Sequence, residues 1–127
     1  MKINDPNVVA EVEAAFARYE RALIGNDVAT LTELSRKNSL TIRYEIAENP
    51  YGSDAIGAFR AARSSAGLAR ELSRTAIITY SDDFAMASTL FHRASARSQI
   101  GRRIQSWARL PEGWRVVAAH VSLLDKA

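Results

Sequence analysis

The second half of the chain constrains the fold more than any other part of the sequence. From about residue 70, apolar residues recur at every second position, which is the period of a strand with one buried face. The predicted strands cover residues 72–80, 84–93, 97–109 and 114–124. They are separated by the short segments Ser81-Asp82-Asp83, Ala94-Ser95-Ala96 and Pro111-Glu112-Gly113. Because connections this short join neighbouring antiparallel strands, the pattern predicts a meander.

The first half of the chain has the period of helices instead. Asp5-Pro6 is a typical helix start and Gly25 a typical helix stop. Between them, one apolar stripe predicts a helix of about 18 residues. Its members are Val9, Val12, Phe16, Tyr19 and Leu23. We expect Asp27 to cap a second, short helix, and Ser53 or Asp54 to cap a third.

Helices followed by a long meander are typical of an α+β fold. We expect a single domain over residues 1–127, in which a curved antiparallel sheet wraps around the long first helix and forms a cone with a pocket inside. Segment 114–124 is apolar on both faces, so it should lie centrally in the sheet or be covered on both sides. Strands 84–93 and 97–109 also carry apolar residues on both faces, which predicts a homodimer that buries the second face.

The composition excludes several classes of function. The chain has no cysteine, which excludes a disulfide framework and a thiolate nucleophile. It has no apolar run of roughly 18 residues and no apolar stretch typical of a signal peptide, so we expect a cytoplasmic protein without a membrane partner. His92 and His120 lie far apart and lack ligand spacing, so we expect neither a metal site nor a cofactor.

The net charge of +3 is carried mainly by arginine, since only Lys2, Lys37 and Lys126 among the 17 basic residues are lysines. The planar guanidinium group fits carboxylates in a bidentate way, which would suit an anionic substrate. A GC-rich genome would give the same bias. The arginines are spread along the chain and form no basic stripe with exposed aromatic residues, so we do not expect nucleic-acid binding.

Two residues of these patterns could meet inside the cone. In LTIRYEI, residues 40–46, Arg43 stands at the centre of the polar face, where it either faces solvent or clamps a substrate carboxylate in the pocket. Thr41 and Glu45 would share that face. Tyr19 is the one hydroxyl-bearing member of the helical stripe, and it is either a core residue or a proton donor or acceptor. A neighbouring arginine would favour its phenolate form.

The order of long helix, short helix, strand, helix and meander resembles the NTF2-like, SnoaL-like superfamily of small cone-shaped domains. Four segments resemble, more narrowly, the AtzH-like proteins, which include the HpxZ-type proteins associated with oxalurate catabolism. These segments are VVAEVEAAFARYERAL, IRYEIAENPYGSDAIGAFRAAR, SAGLARELSRT and PEGWRVVAAHVSLL. In FHRASARSQIGRRIQSW, residues 91–107, the chain departs from the more polar or acidic sequence expected of the family.

The resemblance implies a role in the breakdown of small ureido compounds from s-triazines or purines. In the AtzH-like branch, the implied reaction is the decarboxylating hydrolysis of 1,3-dicarboxyurea towards allophanate during cyanuric acid catabolism. Tyr19 and Arg43 occupy the positions that the family motif marks as catalytic. The alternatives are an enzyme acting on oxalurate or another ureido acid, and a non-catalytic protein that holds an unstable intermediate or partners an amidase.

Three further residues are candidates for substrate binding. A second substrate carboxylate would need a second cation, for which we select Arg63 or Arg60, three residues apart on one helical face. The alternative for this pair is a solvated helix end. His120 would lie on the same strand face as Trp114 and Val116, either as a core histidine or as a residue that orients substrate or relays a proton.

Overall fold

The computed structural model describes residues 1–46, 49–64 and 66–126, and in this part of the chain helices pack against a curved, five-stranded sheet. The helices are α1 (Pro6–Ile24), α2 (Val28–Leu34) and α3 (Ser53–Ala62). The strands are β1 (Ile42–Tyr44), β2 (Arg70–Tyr80), β3 (Phe84–Arg93), β4 (Gln99–Leu110) and β5 (Gly113–Asp125). The predicted α+β class, with a curved sheet and a long N-terminal helix, is confirmed.

Helix α1 begins and ends where the sequence predicts. The Asp5 carboxylate accepts a hydrogen bond from the backbone N–H of Asn7 at 3.0 Å, and the helix ends at Gly25. The predicted stripe is buried except at its first position, where Val8 is buried in place of Val9. This stripe packs on the inner face of the sheet and forms the core with the buried residues Ala85, Ala87, Trp107, Trp114, Val116 and Ala119.

The two shorter helices start differently. Asp27 caps α2 as predicted, because its Oδ1 accepts a hydrogen bond from the N–H of Thr30 at 3.1 Å. The prediction for α3 is wrong, since neither Ser53 nor Asp54 caps the helix and both lie within it. The N-cap is Gly52, whose positive φ of 85° turns the chain into the helix.

The sheet has the order β1-β5-β4-β3-β2. Strands β2 to β5 form the predicted antiparallel meander, and β5 lies between β1 and β4, which confirms its central position. Strand β4 begins at Gln99, two residues after the predicted start, because Ala94–Ala96 forms a 3-10 turn. Strand β1 pairs in parallel with β5, which the sequence pattern does not reveal.

A β-bulge in β5 reverses its alternation and corrects the prediction for His120. Ser106 pairs with Ala118 whereas Trp107 pairs with Val116, so Val117 is an extra residue on β5. His120 therefore lies on the outer face, exposed to solvent, with its ring 5.7 Å from that of Tyr44. It does not share the inner face with the buried residues Trp114 and Val116, and the expectation that it faces the cone is wrong.

Candidate active site

The phenolic oxygen of Tyr19 is the point at which the helices and the sheet meet. It accepts a hydrogen bond from Arg43 Nη1 at 2.7 Å and another from Arg60 Nη2 at 2.9 Å. All three residues are buried, with Tyr19 0%, Arg60 2% and Arg43 4% exposed. The predicted meeting of Tyr19 and Arg43 is thus present, and Arg60, the alternative to Arg63 as second cation, joins them.

The hydroxyl hydrogen of Tyr19 is not used in the contacts with the two arginines. A phenol oxygen has two lone pairs and one hydrogen, and the two arginines occupy both lone pairs. A guanidinium group cannot accept a hydrogen bond. Among the described residues, no acceptor receives the Tyr19 hydrogen. The arrangement is therefore that of a buried proton donor whose conjugate base would be held by two cations.

Arg43 reaches Tyr19 because it lies on the inner face of β1. Thr41 and Arg43 are 3% and 4% exposed, whereas Leu40 and Tyr44 are 72% and 36% exposed, as the alternation predicts. Arg43 Nε donates a hydrogen bond to Glu45 Oε1, which orients the guanidinium group. Burial lowers the pKa of Arg43, but the neighbouring Tyr19 and Glu45 raise it more, so the group stays charged.

Arg60 is fixed by the end of α2. Its Nη1 donates hydrogen bonds to the carbonyl oxygen of Leu31 and to Ser35 Oγ, both at 3.1 Å. These contacts leave Nη2 directed at Tyr19. No carboxylate among the described residues forms an ion pair with Arg60, so its positive charge is held by neutral oxygens.

Burial of the Tyr19 phenol raises its pKa, but attraction by Arg43, Arg60 and Arg103 outweighs this effect and holds the pKa below the ordinary value of tyrosine. Arg103 acts on the ring, since its Cζ lies 5.5 Å from the ring centroid of Tyr19. The indole of Trp107 meets the same ring edge to face at 6.0 Å. Tyr19 is therefore a stronger acid than a tyrosine in water.

A second charged cluster lies beside the first. Glu20 accepts hydrogen bonds from Arg70, at 2.6 Å from Nη2 and 3.2 Å from Nε, and its Oε1 lies 2.5 Å from Arg103 Nη1. The side chains of Glu20, Arg70 and Arg103 are 9%, 2% and 1% exposed. Burial raises the pKa of Glu20, but Arg103 and Arg70 lower it more, so the carboxylate stays ionised.

Arg63 does not reach Tyr19. Helix α3 ends at Ala62, and Arg63 has extended backbone angles, so it no longer shares a helical face with Arg60. Its Nη2 instead contacts Asn26 Oδ1 at 3.4 Å, and the side chain lines an open groove of about 660 Å³ with Pro50 and Phe59. Burial lowers the pKa of Arg63, and the nearby Arg43 and Arg60 lower it further. Arg63 is thus at the border between this groove and the buried cluster.

Three members of the clusters are not among the site residues that the sequence pattern predicts, namely Glu20, Arg70 and Arg103. A signal existed for two of them. Glu20 follows Phe16 by four residues, which is the spacing of the buried helical stripe. Arg103 lies four residues before the buried Trp107 and therefore on the same face of β4. Charged residues at positions of an apolar pattern are the informative exceptions. No such signal marks Arg70, because β2 has no regular alternation of burial.

The candidate site contains no metal-binding cluster. Over residues 1–46, 49–64 and 66–126, no group of three or more histidine, aspartate or glutamate side chains is arranged to hold a metal ion. In the same ranges, no helix is long and apolar enough to cross a membrane.

A family model described as AtzH-like matches residues 1–127. The chain belongs to the AtzH-like family. Two solved structures are similar over nearly the whole chain. A protein of the DUF3225 family from Pectobacterium atrosepticum SCRI1043, of unknown function, is 54% identical with a TM-score of 0.94, covering 97% of this chain and 95% of that one. A cystatin-like fold protein from Burkholderia xenovorans LB400 is 43% identical with a TM-score of 0.96, covering 100% and 99%.

The wider fold relationship is also clear. An NTF2-like superfamily protein from Salmonella enterica is 23% identical with a TM-score of 0.75, covering 96% of this chain and 94% of that one. At this identity the likeness concerns the fold alone, so the AtzH-like chain has an NTF2-like fold. No curated protein matches the chain.

Proposed function

We propose that this AtzH-like protein is a decarboxylating hydrolase that converts 1,3-dicarboxyurea, a small N-carboxylated urea, into allophanate. The observation that carries the proposal is the buried Tyr19 hydroxyl, whose oxygen is held by Arg43 and Arg60 and whose hydrogen is not used in these contacts. Membership of the AtzH-like family supports the substrate, since the reaction is the one that the resemblance implies for Tyr19 and Arg43.

The chemistry requires a carboxylate anchor and a proton. One N-carboxylate of the substrate binds the guanidinium groups of Arg43 and Arg60, which supply charge-assisted hydrogen bonds. Tyr19 donates its proton to the adjacent nitrogen. The bond between that nitrogen and the carboxyl carbon breaks, its electron pair stays on nitrogen, and carbon dioxide leaves. Allophanate and the Tyr19 phenolate remain, and the phenolate regains a proton from water.

The electrostatics of the site favour this proton transfer. The phenolate formed in the reaction is stabilised by Arg43 and Arg60, and the same charges hold the pKa of Tyr19 below its ordinary value. A general acid contributes roughly 10²–10⁴-fold in rate, which is sufficient for a substrate that already loses carbon dioxide readily once its nitrogen is protonated. Neither a nucleophile nor a metal ion is needed for the step.

The direct test is turnover of freshly prepared 1,3-dicarboxyurea by the purified protein, with release of allophanate followed by chromatography. We expect catalysis above the buffer rate, and we expect Tyr19→Phe to lower it by about 10²–10⁴-fold while substrate binding remains. Tyr80→Phe is the matched control, because Tyr80 lies on β2 and packs against Phe84 away from the site.

Two results would favour an alternative function over the proposed reaction. Tight binding of 1,3-dicarboxyurea without turnover would favour the non-catalytic alternative, in which the protein holds an unstable intermediate. Turnover of oxalurate but not of 1,3-dicarboxyurea would favour the alternative enzyme, which acts on oxalurate or another ureido acid. Full activity of Tyr19→Phe would remove Tyr19 from the mechanism.

A further inference from the structure

Arg103 is almost fully buried, although part of its guanidinium group has no hydrogen-bond partner among the described residues. Its side chain is 1% exposed, and Nη1 lies 2.5 Å from Glu20 Oε1. Nε and Nη2 have no hydrogen-bond acceptor among the described residues. A buried donor without an acceptor costs free energy, and this cost is larger for charged groups. Glu20 does not require Arg103 for neutralisation, since Arg70 already donates two hydrogen bonds to it.

Gln105 presents a further free donor on the same face of β4. It is 0% exposed, and its Oε1 accepts a hydrogen bond from Trp107 Nε1 at 3.2 Å. Because the indole N–H can only donate, this contact fixes the orientation of the amide. The amide Nε2 has no acceptor among the described residues. Gln105 and Arg103, two residues apart, thus both carry unpaired buried donors.

The register of the sheet puts these donors across from Arg43. Arg43 pairs with Ala119 of β5, and Ala119 pairs with Gln105 of β4. Since neighbouring strands are about 4.8 Å apart, the backbones of Arg43 and Gln105 are separated by about 10 Å. Ala119 between them has a small side chain. Tyr19 spans this row, because its hydroxyl contacts Arg43 and its ring faces Arg103 and Trp107.

The charges of the two clusters do not balance. Among the described residues, the buried guanidinium groups are those of Arg43, Arg60, Arg70 and Arg103. The carboxylates paired with them are those of Glu20 and Glu45. Two positive charges therefore remain on side chains that are at most 4% exposed. Buried charges are stable when they are paired, so this excess suits a ligand with two negative charges.

We propose that Arg103 and Gln105 form a second carboxylate subsite, so that the protein selects small dianions over monoanions. This inference rests on the proposed function for the first subsite, in which Arg43 and Arg60 hold the other carboxylate. Nε and Nη2 of Arg103 and Nε2 of Gln105 donate to the distal carboxylate. Arg103 is then a specificity-determining residue in the segment where the sequence departs from the family pattern.

The test uses two freshly prepared probes and equilibrium binding by calorimetry in the cold, because both probes are β-keto acids that slowly lose carbon dioxide in water. The dianion 3-oxoglutarate has the shape of 1,3-dicarboxyurea with CH₂ in place of each N–H group, and acetoacetate is the corresponding monoanion. We expect the wild-type protein to bind 3-oxoglutarate more tightly. Arg103→Gln should weaken 3-oxoglutarate binding by about tenfold or more and change acetoacetate binding by less than about twofold. Arg102→Gln, an exposed neighbour that contacts Ser122, is the matched control and should change neither affinity.

Two outcomes would overturn the subsite. Equal weakening of both probes in Arg103→Gln would make Arg103 a structural residue, and equal affinity of the wild type for both probes would refute selection of dianions. If Arg103→Gln does not fold, Gln105→Met removes one donor at nearly constant volume and should selectively weaken 3-oxoglutarate. Dianion selection without turnover of 1,3-dicarboxyurea would refute the proposed reaction but keep the subsite. Turnover of 1,3-dicarboxyurea without dianion selection would keep the proposed reaction but refute the subsite.

Discussion

Arg43 on β1 and Tyr19 on α1 are 24 residues apart in sequence and are joined by a hydrogen bond of 2.7 Å between Nη1 and the phenolic oxygen. The bond connects the short parallel edge strand to the long helix inside the cone. Its burial matters, because a charge-assisted hydrogen bond out of contact with water is stronger than an exposed one.

The first prediction concerns the charge of Arg43. Arg43→Gln should lower kcat/KM for 1,3-dicarboxyurea by about 30- to 150-fold, equivalent to about 2–3 kcal/mol, because it removes a charged donor from the substrate carboxylate. The substitution also leaves Glu45 without its buried partner, so the free energy of unfolding should fall as well. Steady-state kinetics and urea denaturation measure the two effects.

A double variant separates the loss of activity from the loss of stability caused by Arg43→Gln. Adding Glu45→Gln to Arg43→Gln removes the unpaired carboxylate and should recover part of the lost stability. It should recover none of the lost activity. Recovery of both would mean that Arg43 acts only by holding the fold together.

The second prediction is an alkaline loss of activity. Burial raises the pKa of Tyr19, but Arg43, Arg60 and Arg103 lower it more, so the pKa lies below the ordinary value of about 10. The proton-donating form is therefore lost as pH rises through this lowered pKa, and kcat should fall with it. Arg60→Gln removes one cation and should move the fall to higher pH. A kcat profile that is flat up to pH 10, or one that Arg60→Gln moves to lower pH, would contradict Tyr19 as the acid.

Local patterns predicted the parts of the site that follow a regular period. The face of β1 that carries Arg43 and the helical position of Tyr19 both follow from alternation and from the spacing of the α1 stripe. Each inference uses only neighbouring residues, and in both segments the period is uninterrupted. The contact between Tyr19 and Arg43 follows once the sheet curves around the helix.

The remaining features depend on long-range pairing or on a local irregularity. A single extra residue at Val117 inverts the alternation of β5 and puts His120 outside, and the composition of the strand does not mark the bulge. Likewise, α3 ends one residue before Arg63, which decides in favour of Arg60. Arg103 is paired with Glu20, which lies far from it in sequence.

The third prediction concerns acid stability. Burial raises the pKa of Glu20, but Arg103 and Arg70 hold it below its usual value. Since the folded-state pKa is depressed, the stabilisation is complete above the unfolded value of about 4.3 and is lost as pH falls through the folded pKa. Urea denaturation from pH 7 to pH 3 should show a falling free energy of unfolding below about pH 4.3.

Substitution of Glu20 tests the origin of that loss. Glu20→Gln should cost about 3 kcal/mol or more at pH 7, because it leaves two buried guanidinium groups unpaired, and it should flatten the acid slope. Glu13→Gln on the exposed face of α1 is the matched control and should stay within about 0.5 kcal/mol of the wild type. An unchanged acid slope in Glu20→Gln would assign the loss to other carboxylates.

The fourth prediction compares two glycines. A Cβ atom on Gly101 would lie 2.1 Å from the ring of Phe91, so the ring, which stacks on Arg70, would have to move. Gly101→Ala should therefore destabilise the protein by about 1–3 kcal/mol. A Cβ on Gly57 in α3 meets nothing within 4 Å, and Gly57→Ala should stabilise by about 0.5–1 kcal/mol. Thermal unfolding of the two variants should shift in opposite directions, and a shift in the same direction would contradict this account of Gly101.

The last prediction concerns the outer face of the sheet, for which we propose a second copy of the chain as the partner. Ile104 is 49% exposed there, between a groove of about 550 Å³ that contains Leu90 and a groove of about 300 Å³ that contains Tyr44. An apolar residue flanked by two grooves suits a twofold contact, in which each copy inserts the residue that the other receives. Light scattering should therefore give a dimer at micromolar concentration.

Ile104→Lys should give a folded monomer, because it buries a charge in the contact, whereas Ile24→Lys at the 41% exposed end of α1 should remain dimeric. A wild-type monomer would refute the proposed partner, and a dimer that survives Ile104→Lys would move the interface to another surface.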